Sequence, residues 1–187
     1  MRMGLAASVA AFLIIEYLLV TVYLDGVYAP FKGFNLLLIS SLIPIGLAAY
    51  IGYLRWMVYG RNIFKYASAL ALALGLLAII LGYIGSGMSL PILVLAYFTE
   101  VVVGPYLMKG FDEISPLSAK LFVLGIAGFV FTLPLVSLNN QFAVIPFMFN
   151  LVKGLSLSHL LILSSSKASG VETLQASQIL RRASPPP

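Results

Sequence analysis

The chain has no cysteine. Disulfides, thiolate catalysis, iron–sulfur clusters and Cys-ligated zinc are therefore excluded. A single histidine, His159, excludes a haem held by two histidines of this chain. The six methionines are scattered and form no metal-binding cluster. Charge is scarce as well, at 9% of residues, where a soluble domain carries about 25%. Regular alternation of polar and apolar residues is missing too. That argues against a membrane β-barrel, whose strands alternate over about 10 residues.

What the sequence has is apolar length. Hydrophobic residues make up 61% of its 187 positions and come in long runs, the pattern of lipid-facing helices. A bilayer crossing needs about 20 such residues, and six runs qualify. The reading is an all-α integral membrane protein: a six-helix transmembrane bundle with short loops over residues 1–166. The spans fall near 3–24, 34–54, 63–84, 89–108, 117–138 and 141–163. Residues 167–187 form a tail outside the bundle.

Each run carries local signals. The first follows Arg2 as a signal peptide would, but it exceeds the roughly 7–15 apolar residues of a signal core. Its Gly4, Ala7, Ser8 and Ala11 share a narrow sector, where another helix can approach closely. In the second, Pro44 removes a backbone donor and predicts a kink, with Ser40 and Ser41 placed to satisfy freed carbonyls. Tyr53, Arg55, Trp56 and Tyr59 close that span as an interfacial mixture of amphipathic rings and a cation. Gly104-Pro105 predicts a bend past Glu100. The stretch 109–118 reads as the most polar connection, and Asn139-Asn140 as a short turn. In the tail, Ser169-Gly170-Val171-Glu172 matches a capping box opening a short helix to about Arg182, stopped by Ser184-Pro185-Pro186-Pro187.

Basic residues give the orientation. With the N-terminus inside, six crossings return the C-terminus to the cytoplasm, and nine of the eleven basic residues lie on that side. They are Arg2, Arg55, Arg61, Lys65, Lys109, Lys120, Lys167, Arg181 and Arg182. Lys32 lies outside and Lys153 within the membrane. The expected location is the cell membrane, multi-pass, with both termini cytoplasmic. The net charge of +5 reads as topology, not as affinity for nucleic acid.

Three charges remain near the middle of the spans: Glu16, Glu100 and Lys153. A single charge at mid-bilayer costs at least about 2.5–3.5 kcal/mol. Either Lys153 pairs with one or both glutamates, or the carboxyls are neutral because burial disfavours a charge. Asn150, Ser156 and His159 add polar atoms to the sixth span without sharing one face with Lys153. His159 alone reads better as a hydrogen-bonded packing residue. Tyr97 sits one turn before Glu100, within hydrogen-bond reach. Sliding the second half of the chain onto the first places Glu16 on Glu100 and Gly26 on Gly110, the pattern of an inverted repeat with a site at its interface. Lys153 then falls on Ala69 and Pro44 on Gly128.

The size, the six spans and the spacings Ala6…Ala10 and Ala7…Ala11 loosely resemble the substrate-binding membrane subunits of energy-coupling-factor vitamin transporters, though without a vitamin-binding loop signature. Glu100 followed by the Ser115-Pro116 loop is faintly similar to the core subunit of the twin-arginine translocase, whose external loops are far longer. Neither resemblance assigns a family. No metal-dependent transferase motif, phosphate loop or serine–histidine arrangement points to an enzyme, and no cofactor is expected. The expected function is movement of a small solute or ion through a midplane site of Glu16, Glu100 and Lys153, with Tyr97, Asn150 and His159 contributing, coupled to protons. The alternative is a non-catalytic accessory subunit of a larger respiratory or translocating complex, with the buried charges serving assembly or a proton path. The expected partners are the lipid bilayer, the solute or proton, and other membrane proteins or further copies of the chain.

Overall fold

The computed structural model describes residues 1–166 with their side chains and follows the last helix as backbone to Ala183. The side chains after Ser166 lie outside the described residues. The last helix runs without a break through 169–172, so the capping box expected there opens no separate helix; residues 184–187 lie outside the described residues.

Six long helices account for nearly all of the fold, and no strand occurs among the described residues. They are α1 (Arg2–Asp25), α2 (Gly33–Leu54), α3 (Arg61–Tyr83), α4 (Ser89–Asp112), α5 (Pro116–Thr132) and α6 (Val144–Ala183). Short 3₁₀ turns at Ala29–Phe31, Leu133–Ser137 and Asn140–Ala143 complete the connections. Among the described residues six segments are long and apolar enough to cross a membrane, the last two being Pro116–Ser137 and Asn140–Ser166. Leu13, Phe34, Leu37, Phe131 and Ile162 are all more than half exposed. So broad an apolar exterior suits a multi-pass membrane protein and not a water-facing one.

The helices stand in a ring in chain order. Each packs on the one before and the one after it, and α6 returns to pack on α1. Short connections make neighbours antiparallel, so Arg2, Arg55, Arg61, Lys65, Lys109 and Lys120 gather at one end of the bundle and Lys32 at the other. At the basic end Arg2 donates to the carbonyl of Ser164 (3.0 and 3.2 Å) and to that of Ser165 (3.2 Å), tying α1 to α6. At the opposite end Asn140 Nδ2 donates to the Tyr23 carbonyl at 2.8 Å.

The small sector of α1 does its expected work at Gly4. A Cβ built on Gly52 of α2 would lie 2.7 Å from Gly4 Cα, so the two backbones touch. The second helix continues through Pro44 to Leu54. Ser40 and Ser41 donate back to Leu36 and Leu38, each at 2.6 Å, one turn before the carbonyl that Pro44 frees. The fourth helix continues to Asp112, which reduces the polar connection to 113–115. Lys109 then lies in its last turn, where a cation suits the negative end of the helix dipole. The Ser115 hydroxyl accepts from Ser118 N–H at 3.4 Å and caps α5.

Tyr53 and Trp56 also turn inward from the interfacial positions expected for them. Tyr53 is 4% exposed and meets Phe64 and Phe111 edge-on. Trp56 stacks on Phe111 at 5.7 Å, and Phe111 meets Phe122 at 5.2 Å. Together these rings fill the core of the basic end. Tyr59 stays exposed as expected.

Candidate functional site

The sixth helix organises the polar centre. Its successive faces address three other helices. Asn150 Nδ2 donates to Glu16 Oε1 on α1 at 3.1 Å. One turn on, the Lys153 ammonium donates to Glu100 Oε2 on α4 at 3.0 Å. Two turns further, His159 Nδ1 lies 2.7 Å from the Ser118 hydroxyl on α5. The lysine thus pairs with one glutamate, and the second glutamate takes an amide.

Lys153 reaches α4 because α5 lets it pass. A Cβ built on Gly125 would lie 2.7–2.9 Å from Lys153 N, Cβ and Cα, so the backbones of α5 and α6 touch at this level. The lysine stem then runs along α5, its ammonium 4.8 Å from the centre of the Phe129 ring. An aromatic face attracts a cation there without adding a competing charge. The Lys153 side chain is 6% exposed and that of Glu100 34%. Pairing and the ring together make the buried lysine tolerable where an isolated charge would not be.

The pair borders a cavity of about 200 Å³ on the axis of the ring. All six helices contribute to its wall. Most of that wall is apolar, and Ser8, Tyr53, Ser68 and Thr99 supply hydroxyls beside Glu100 and Lys153. Tyr53 and Ser8 share a hydrogen bond at 3.1 Å, and Thr99 turns its hydroxyl back to the Ala96 carbonyl at 2.7 Å. Towards the Lys32 end lies a smaller apolar cavity of about 60 Å³, lined by Tyr97, Phe129 and Val136 among others. Ile15 borders both spaces. The charged level therefore sits between two voids.

Of the six residues singled out in the sequence, Glu100 and Lys153 meet on the cavity wall. Glu16 and Asn150 form a second pair that is not part of that wall. Tyr97 packs edge-on against Phe129 with ring centres 5.2 Å apart, and Lys153 is the hydrogen-bond partner that Glu100 has among the described residues. An aromatic contact thus replaces the hydrogen bond expected between Tyr97 and Glu100. His159 is exposed and sits with the Ser115–Ser118 cap, away from the cavity. Its described contact is the one with Ser118. Sequence reasoning passed over Gly125 and Phe129, which aim the lysine, and Ser8 and Tyr53, which line the cavity. The pairing of Ser8 with Tyr53 has no signal in the order of residues. Among the described residues no cluster of acids and histidine could hold a metal ion.

No family model matches the chain, and comparison with curated proteins and with solved structures finds no match either.

Proposed function

We propose that the six helices cross the cell membrane with the basic end cytoplasmic, and that the bundle moves a small solute or ion through its axis, coupled to protons. The observation that carries this reading is the axial cavity with the Lys153–Glu100 pair in its wall. A charge pair beside a void, at mid-helix in six apolar segments, is costly to keep for packing alone, and ionisable groups in that setting mark transport paths. The gathering of basic residues at one end supports the orientation. The lysine acts as the counter-charge of Glu100, and Glu100, one-third exposed, is the group a passing solute meets.

Proteoliposomes with an entrapped pH-sensitive dye test the reading. Gradients of small cations, amines and carboxylates are imposed in turn and proton movement is followed. Wild-type protein is expected to couple one class of gradient to proton movement, and Glu100→Gln and Glu16→Gln to abolish that coupling while the protein stays folded. Flux retained in both variants would sink the proposal.

One observation favours the alternative, an accessory subunit of a larger complex. Buried residues make up 6% of the apolar stretch of α2, against 44% for that of α1. That outer face is available to another membrane protein. Purification in mild detergent followed by mass spectrometry separates the readings. Stoichiometric partners would favour the subunit, and a chain running alone or with copies of itself would favour transport.

A further inference from the structure

The Lys153–Glu100 pair is complete, but the Glu16–Asn150 pair is not. Asn150 is fully buried. Its amide nitrogen donates to Glu16 Oε1, and this leaves two oxygens, Glu16 Oε2 and Asn150 Oδ1. Both are buried, and neither has a hydrogen-bond partner among the described residues. Buried polar atoms are almost always satisfied, so two orphans on one contacting pair call for a common cause. Written as a carboxylate and an amide, the pair offers two acceptors and nothing to join them.

A single proton alters that count. A carboxylic acid has one donor and one acceptor, and so does the edge of a carboxamide. We propose that Glu16 and Asn150 form a proton-binding site. In it the acid Oε2–H of Glu16 donates to Asn150 Oδ1 while Asn150 Nδ2–H donates to Glu16 Oε1. Both orphans are then satisfied by each other, and the pair closes a ring of two hydrogen bonds.

Among the described residues the surroundings offer no hydrogen-bond partner to either oxygen, although the Lys153 charge is close enough to act on Glu16. On α6, the Lys153 ammonium is committed to Glu100, and His159 lies against Ser118. The second helix brings the phenols of Tyr50 and Tyr53, both on the wall of the axial cavity, and the hydroxyls of Ser40 and Ser41, which donate to the Leu36 and Leu38 carbonyls. The turns Ala29–Phe31 and Asn140–Ala143, which also pack on α1, carry no acid or base. Glu100 on α4 is the other acid of this level, and Lys153 neutralises it. With Glu16 protonated the level has no net charge, the arrangement that an apolar interior favours. Loss of the proton to water leaves a carboxylate and one uncompensated negative charge. A cation arriving beside Glu100 would compensate it. The two pairs thus divide the work between proton and solute.

The assignment deepens the transport reading and rests on it for the use of the proton, not for its presence. Infrared spectroscopy of the full chain in lipid nanodiscs, near neutral pH, therefore tests it without any flux. Wild type is expected to show a protonated carboxyl carbonyl band that moves down on transfer to heavy water. Glu16→Gln removes the band, Glu100→Gln keeps it, and Asn150→Ala moves it up because the acid loses its amide partner. The proposal is overturned if no such band exists in wild type, as with a charged, hydrated carboxylate. A band that survives Glu16→Gln, or one that Asn150→Ala leaves in place, would overturn it too. If Glu16→Gln does not fold, wild type isotopically labelled at its glutamate carboxyls carries the test. The label must then shift the band, and a band untouched by it overturns the assignment. Absence of flux with the band present would count against transport and leave the proton site standing.

Discussion

Replacing Lys153 and Glu100 separately and together by methionine tests whether they act as one unit. Removing one partner of a buried ion pair costs about 3–5 kcal/mol, because the other charge is left without compensation. The two halves are not equally hidden, since the Lys153 side chain is 6% exposed and that of Glu100 34%. Lys153→Met leaves an acid with some access to water, so its cost should fall at the lower end, about 3 kcal/mol. Glu100→Met leaves the more buried ammonium without its ion-pair partner, against the Phe129 face 4.8 Å away. That contact offsets roughly 0.5–2 kcal/mol of a cost starting nearer about 5 kcal/mol. The double replacement removes both charges and puts apolar atoms in their place. It should be less destabilising than either single change, and can match or exceed wild type by about 1–4 kcal/mol. Equilibrium unfolding in mixed detergent micelles, read by circular dichroism, measures all four proteins. Additive losses in the double variant would refute the argument, because two groups that do not interact lose stability independently.

Two further outcomes follow from the packing around the same helices. Gly125→Ala puts a methyl group 2.7–2.9 Å from backbone and Cβ atoms of Lys153, which cannot swing aside as a side-chain tip can. It should cost about 1–3 kcal/mol in the same unfolding assay and weaken proton coupling in liposomes by moving the ammonium off Glu100. His159→Ala removes the 2.7 Å contact with Ser118 and should cost about 0.5–1.5 kcal/mol, with flux unchanged. A lost flux would mean that the histidine does more than brace the cap of α5.

The six helices were legible because a long apolar run needs no partner to be recognised. Their ends were less so. Residues Lys109 to Asp112 look like a loop by polarity, yet they make the last turn of α4, where Lys109 complements the carbonyl end. Pro44 predicts a kink, and the helix continues through it to Leu54. The level of Glu16, Glu100 and Lys153 could be counted along the chain, but the choice of partner could not. Which acid takes the lysine depends on Gly125, where two backbones touch, and on the order of helices around the ring. Neither is visible as spacing along one helix. Tyr97 shows the same limit. Its place one turn before Glu100 made a hydrogen bond geometrically reasonable, but the Phe129 ring from a neighbouring helix claimed its side chain. Tyr53 looked like an interfacial residue by position and became core, because Gly4 and Phe111 leave room for it.

The order of helices around the ring also sets an order in time. A chain made from its N-terminus presents α1 with Glu16, and later α4 with Glu100, before α6 exists. Asn150 and Lys153, the partners of both acids, arrive together on that final helix, one turn apart. Five helices can therefore form and pack while two carboxyls in the interior still wait for company. Docking of the sixth closes the seam against α1 and answers both at once. The newborn bundle thus carries its own mark of incompleteness, and arrival of the last segment erases it.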